Sequence, residues 1–367
     1  MQILVHEGLR IFHDRLVTVK EKDWANETID GLVKRFFPNC DLRECLRRPL
    51  IFSSWLGKGY SRVERDELAE FVKARMSSFN EEELGVPLVV FDQMLDHVLR
   101  IDRVLKQPMG HSLLVGASGA GKTVMTKFVA WLNGLSIFQI KAHRKYGQED
   151  FEADLRKVMK RSGCQGESVC FIFDESNALS SGFLELMNAL LASGEVPGLF
   201  EGDDWVSLMH KCREAATKDG LMLDTEEELY KRFIEQVRRN LHVVFTMNPS
   251  SPDYGSRSAS SPALFNRCVV DWVGDWDQDA LVQIATHFTL PLAIQEDERH
   301  GLVEVLMYSH DAAHAGCLRE RRIREKSIFV TPRHYVDAVN QFVKVFEEKK
   351  SAAQVGWSIV IIFVKGV

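Results

Sequence analysis

Apolar residues recur at helical spacing from the first turn of the chain. In ILVHEGLRIFHDRLV, Ile3, Leu4, Leu9, Ile11, Phe12 and Leu16 fall near one face, which predicts a helix. DWANETIDGLVKRFF predicts a second helix, ended by Pro38. Two helices bury little surface on their own. Residues 1–50 therefore read as the helical end of a preceding domain.

From about residue 85 the pattern changes. SLLVG (112–116) is a short apolar run that enters a glycine loop, and TVMTKFVAWLNG follows with helical periodicity, Gly134 suiting its C-terminal cap. SIFQI, SVCFIFDE, HVVFTMN and CVVDW read as strands, and DFEADLRKVMKRSG and GFLELMNALLASG as helices. Strands alternating with helices, several of them apolar throughout, predict a parallel sheet covered on both faces. The expected fold class is α/β, a three-layer α/β/α domain over 51–275.

Beyond about 275 the strand patterns stop. DQDALVQIATHF and PRHYVDAVNQFVKVFEEKK are amphipathic, with Tyr335, Val336, Val339, Phe342, Val343 and Phe346 at helical spacing and Pro332 in the first turn. They predict a small helical domain over 276–350. The tail, 351–367, breaks the helical charge pattern and is expected to lie outside the fold. Its apolar run WSIVIIFV is too short for a bilayer, which a helix crosses in about 20 residues, so no membrane anchor is expected.

Composition narrows the class. The 367 residues suggest two or three domains at about 150 residues each, and 45% apolar with 27% charged residues is the balance of a globular protein. A net charge of -6 leaves no basic excess to neutralise phosphates and argues against a nucleic-acid partner. KAHRKY (141–146) is a local basic patch only. Seven cysteines without a CxxC pair predict reduced thiols in a cytosolic protein. MQILVHEGLR carries His, Glu and Arg where a secretory signal would be apolar.

The candidate chemistry begins at GASGAGKT. Gly116, Gly119, Gly121, Lys122 and Thr123 fit G-x-x-x-x-G-K-[ST] between a predicted strand and a predicted helix. Such glycines let backbone N–H groups converge on a polyphosphate, and the helix N-terminus adds its positive end. Lys122 would reach the β- and γ-phosphates of ATP, and Thr123 would hold Mg²⁺. The bland alternative is a glycine-rich turn.

In CFIFDE, an apolar strand ends in two carboxylates, which are costly there without a cation or a reaction to serve. Asp174 would bind Mg²⁺ through water and Glu175 would be the general base; a solvated acidic turn is the alternative. VVFTMN ends in Asn248, which would orient the water or touch the γ-phosphate, or simply begin a turn before Pro. Arg333, in the first turn of the last helix, opposes the helix dipole. An anionic partner would explain it, as would solvation. Arg267 has no evident use in an isolated P-loop ATPase. In a ring, each subunit lends such an arginine to its neighbour. His310 and His314 stand four apart without a third metal ligand, and EGDD (201–204) lacks a full Ca²⁺-loop pattern.

These parts in this order resemble an AAA+ ATPase. More closely, PLVVFDQMLDHVLRIDRVLKQPMGHSLLVGASGAGKT, FIFDESN, NALLASGEVPGLFEGDD, LHVVFTMNPSS and SPALFNRCVVDWVGDW resemble the fourth AAA+ module of the dynein heavy chains, with RPLIFSSWLGKGY similar to the join from the third. The resemblance runs from about residue 1 to 350. It implies a cytoplasmic, cytoskeleton-associated, microtubule minus-end-directed motor whose fourth module binds ATP and is regulatory. It makes Asn248 sensor I, Arg267 the arginine finger, Arg333 sensor II, and Val89 and Val90 the flank of adenine. The implied partners are the other AAA+ modules of the same chain, the microtubule through a stalk, and accessory chains through regions outside this sequence. FEEKK stops heading that way, and SAAQVGWSIVIIFVKGV stands where stalk heptads are expected, as in a fragment or truncated gene model. Slow hydrolysis is expected of the isolated chain. A binding-only structural module and an oligomeric remodelling ATPase are the alternatives.

Overall fold

The first helices form where the 3.6-residue period places them. Helix α1 (Gln2–Gly8) runs on through a π-helical turn, Leu9–His13, and α2 (Val19–Phe36) follows behind a capping box of Thr18 and Glu21. A short α3 (Leu42–Cys45) is capped by Asp41. Val5, Leu9, Val33 and Leu50 close a small core between them. The chain then makes an antiparallel pair, β1 (Phe52–Ser53) and β2 (Ser61–Arg62), before α4 (Arg65–Glu82) and α5 (Asp92–Leu105). The computed structural model describes residues 1–365 apart from 58, 83–88, 141–144, 175–180, 250–254, 256–261, 275 and 325–328, and leaves aside the side chains of 181, 262, 263, 318, 321–324 and 352–365.

The sheet holds β3 (Ser112–Gly116), β4 (Ser136–Gln139), β5 (Val169–Asp174), β6 (Leu241–Met247) and β7 (Val269–Val273), all parallel, in the order β4-β5-β6-β3-β7. Strands β3 and β6 are buried along their whole length, which is why their sequences show no alternation. Between the strands run α6 (Lys122–Leu132), α7 (Gln148–Cys164), α8 (Ser181–Ser193), α9 (Asp203–Lys218), α10 (Glu226–Asn240) and α11 (Pro262–Arg267). Aromatic rings fill the main core: Phe151 stacks on Phe183 at 4.5 Å, Phe171 meets Phe138 at 5.3 Å, and Phe173 meets Phe245 at 5.5 Å. Each such buried ring contributes about 1.5–3 kcal/mol through the surface it hides from water. The sequence reading named neither α9 nor α10. Asp203 and Asp204 of EGDD open α9, and Asp204 pairs with Lys160 at 3.1 Å and Arg156 at 3.5 Å.

Contacts divide the chain into two units. The first holds Met1–Val90, Met94–Gly116 and Gly121–Val273; the second holds Phe91–Gln93, Ala117–Ala120 and Gly274–Val367. Residues 1–50 thus group with the sheet's unit. Polar bonds fasten them there. Glu7 is ion-paired with Arg103, Asp14 is ion-paired with Arg100 at 3.1 Å, and the Trp272 indole donates to the Arg15 carbonyl at 3.2 Å. His6 bonds the Leu50 carbonyl and the Tyr60 hydroxyl, each at 2.9 Å.

In the second unit, α12 (Gln278–Thr289) is capped by Asp277, and α13 (Glu296–Arg324) and α14 (Pro332–Lys365) follow. Tyr335 is buried and donates to the Leu281 carbonyl at 3.0 Å. Arg299, also buried, donates to the carbonyls of Thr289 and Leu292. Helix α14 passes Ser351, beyond which the tail was expected to lie outside the fold, and continues to Lys365. Ser351–Ala352–Ala353–Gln354 contains no proline, and the single Gly356 costs a helix only about 1 kcal/mol. Among the described residues no helix is long and apolar enough to cross a membrane.

Candidate nucleotide-binding site

The predicted loop lies where β3 ends. Gly116 is the last residue of that strand, paired with Val273 of β7. A Cβ on Gly116 would stand 2.1 Å from the Val273 carbonyl oxygen, so glycine is required here for strand packing. Gly119 and Gly121 have φ of +81° and +85°, a region that side chains disfavour. In the second unit, a Cβ on Gly119 would also come within 2.5 Å of the Arg333 Cβ. Helix α6 begins at once, with Met125 N–H bonded to the Gly121 carbonyl at 2.8 Å.

Lys122 and Thr123 open that helix. Lys122 is buried, and its ammonium donates to the Gly116 carbonyl at 2.7 Å. The Thr123 hydroxyl donates to Asp174 Oδ1 at 3.0 Å. Asp174 ends β5, as its place after four apolar residues predicts. It also accepts from Thr246 Oγ1 at 2.6 Å and from Gln139 Nε2 at 2.6 Å. Sequence reasoning missed these last two. Thr246 faces Asp174 in the β5–β6 register, and Gln139 is the last residue of β4. Their signal was a polar residue at the end of an apolar strand, the same signal that exposed Asp174.

The other predicted residues come from other elements. Asn248 follows β6 directly and is half-buried. Val89 and Val90 lie in irregular chain before α5, also half-buried. Arg267 is the last residue of α11 and is exposed. Arg333, in the first turn of α14, is exposed and stands 3.7 Å from Asp337. Glu175 lies outside the described residues. The His310 ring packs against Tyr335 at 5.1 Å, and the described residues hold no cluster of metal-ligand type.

Buried ionisable groups brace the strands behind the loop. Asp271 of β7 accepts from His97 and from Arg100, each at 2.7 Å. Burial alone would raise its pKa, but the facing His97 and Arg100 outweigh burial and hold it well below the usual carboxylate range. His111, just before β3, accepts the Val243 N–H at 3.0 Å. Burial, with His242 nearby, lowers its pKa to about 4.

The geometry suits a magnesium nucleotide. A hydroxyl and a carboxylate meet at the end of β5, and a buried ammonium bonds the end of β3, beside the left-handed Gly121. The donor set is oxygen-rich, as a hard cation such as Mg²⁺ requires.

A family model described as "P-loop containing dynein motor region D4" matches residues 86–345. A cytoplasmic dynein heavy chain of Dictyostelium discoideum is 51% identical over 375 residues, covering 95% of this chain and 8% of the relative. Its Drosophila melanogaster counterpart is 51% identical over 371 residues, with 96% and 8% covered. One from Caenorhabditis elegans is 47% identical over 372 residues, again with 96% and 8% covered. The chain thus spans about 8% of the length of these relatives.

Proposed function

Since the chain belongs to the dynein heavy-chain family and its matched stretch is an AAA+ motor region, we propose that it is an ATP-binding regulatory module of a microtubule minus-end-directed motor. It works in the cytoplasm on the cytoskeleton, beside the other AAA+ modules of a longer chain. The microtubule is reached through a stalk, and accessory chains bind elsewhere on the same polypeptide. The observation that carries this reading is the meeting of Thr123 and Asp174 at 3.0 Å beside the buried Lys122.

In this reading Lys122 leaves the Gly116 carbonyl for the β- and γ-phosphates, exchanging a neutral acceptor for a charged one. Backbone N–H groups of 119–123 bind the phosphate oxygens at the α6 N-terminus. Thr123 and Asp174 hold Mg²⁺, which would neutralise charge developing on the transferred phosphoryl group. Thr246 and Gln139 fix the Asp174 carboxylate so that it need not reorganise. Glu175 takes the proton of the attacking water, and Asn248 orients that water. Arg333 contacts the γ-phosphate, and Val89 and Val90 flank adenine. Arg267 serves the site of the preceding module. Lacking a neighbour's arginine, the isolated chain turns over slowly.

The test is Glu175→Gln, with ATP binding and hydrolysis measured in the same preparations. Retained binding with slowed hydrolysis is expected. Equal turnover in both proteins would remove Glu175 as the base, and no ATP binding in wild type would overturn the reading itself.

A further inference from the structure

Two thiols from different helices meet away from the nucleotide site. Cys164 is the last residue of α7 and Cys212 lies in the middle of α9. Their sulfurs are 3.7 Å apart, across 48 residues of sequence. Cys212 is buried among the core side chains of the sheet's unit, whereas Cys164 is only partly covered. The remaining five cysteines are free thiols, of which Cys40 and Cys317 are the partly exposed ones.

We propose that Cys164 and Cys212 form a reversible disulfide when the protein meets a hydroperoxide. A disulfide needs sulfurs about 2.05 Å apart, so the pair must close by less than a carbon–carbon contact. Cys164, at the free end of its helix, is placed to make that movement.

The two thiols have different roles. The Cys212 hydrogen bond to its neighbour favours ionisation of Cys164, and although burial opposes this, the cations of Lys211, Lys160 and Arg232 assist it; the pKa of Cys164 is lowered. That of Cys212 is raised, because it remains the donor and is buried. Thiolate character and access select the reacting sulfur, so Cys164 attacks first. Its sulfur bonds to one peroxide oxygen, the O–O bond breaks, and the second oxygen leaves as water after taking a proton. The Cys164 sulfenic acid then condenses with Cys212. The S–S bond forms, the S–O bond breaks, and the hydroxyl leaves with the Cys212 proton as a second water. Two thiols are oxidised by two electrons, and the peroxide is reduced by two.

The resulting bond would staple α7 to α9 around the segment that contains β5 and Asp174. Closing so long a loop restricts the unfolded chain, and the thermal midpoint should rise by about 5 °C or more.

The full chain is treated with a small excess of hydrogen peroxide, quenched with N-ethylmaleimide, unfolded, digested and analysed by mass spectrometry. The expected product is a Cys164–Cys212 linked peptide pair, two hydrogens lighter than the thiols, that dithiothreitol separates. In Cys212→Ser, a dimedone probe should label Cys164. In Cys164→Ser, Cys212 should remain a thiol. The proposal is overturned if both cysteines carry maleimide while Cys40 and Cys317 are oxidised, or if dimedone labels Cys212 first. Should either serine variant fail to fold, the wild-type digest decides alone.

Discussion

Thr123 donates its hydroxyl to Asp174 over 3.0 Å, although 51 residues separate the two. The loop and the β5 terminus are therefore already in register. Thr123→Val keeps the side-chain shape and removes the oxygen. ATP affinity in excess Mg²⁺ should fall about tenfold or more, towards the value measured in EDTA, taking charged contacts at about 1.5–3 kcal/mol. Titration with and without the metal checks this. An unchanged Mg²⁺ dependence would take Thr123 out of the metal site.

Lys122→Ala removes the buried ammonium that the Gly116 carbonyl now accepts. Nucleotide binding should weaken by about an order of magnitude or more on the same scale, with the far-UV circular dichroism unchanged. Superimposable binding curves for the two proteins would sink the phosphate role.

Arg267 is exposed at the end of α11, and the proposed function gives it a role outside its own module. Arg267→Ala should leave the chain's ATP affinity and slow turnover within about twofold, since surface changes are usually within ±0.5 kcal/mol. In a full-length heavy chain the same change should impair turnover at the preceding module. Loss of binding in the isolated chain would show that the arginine acts in cis.

Much of this was legible in the sequence because it is local. The period of apolar residues marked the strands from SLLVG to CVVDW, and the glycine–lysine spacing marked the loop. What stayed hidden depends on residues far apart in the chain. No window contains both Asp174 and Thr246, or both Asp14 and Arg100. The strand-packing demand on Gly116 stayed hidden for the same reason, since it is the distant Val273 carbonyl that a Cβ there would meet. The length of α14 stayed hidden differently: the charge pattern changes after FEEKK, although no residue there obliges a helix to end.

Acid should weaken the fold through His111. With a folded pKa of about 4 against an unfolded value of about 6.5, the unfolded chain binds a proton in that window that the folded chain refuses. Stability from the neutral ring is therefore fully present above about pH 6.5 and declines as pH falls, by about 2 kcal/mol at pH 5. His242, also lowered by burial, adds to the same slope. His111→Asn retains an acceptor for the Val243 N–H and cannot titrate. Urea midpoints should drop less between pH 7 and pH 5 in this variant than in wild type. Parallel slopes would show that His111 is already solvated.

Asp271 should matter more than any surface carboxylate. Asp271→Asn leaves the partly buried Arg100 with weaker compensation. The expected cost is about 3 kcal/mol, a fall of about 5 °C or more in thermal midpoint. The Asp271 pKa is depressed, so its contribution is complete above the unfolded value near pH 4 and is lost below it. The variant should consequently lose less stability than wild type on strong acidification. Equal midpoints at pH 7 would show that the pair with Arg100 contributes nothing.

The contact between Gly116 and the Val273 carbonyl bears on how a dead variant of this protein is made. The glycines of a phosphate loop are tempting targets for abolishing nucleotide binding. At Gly116, one added methyl group would push the last strand away from its neighbour and disturb Asp271 two residues before Val273. An inactive Gly116→Ala protein would then report a displaced strand as readily as a lost phosphate contact. Position 122 separates the two effects, because its side chain bonds to the loop and no strand has to yield when it is shortened.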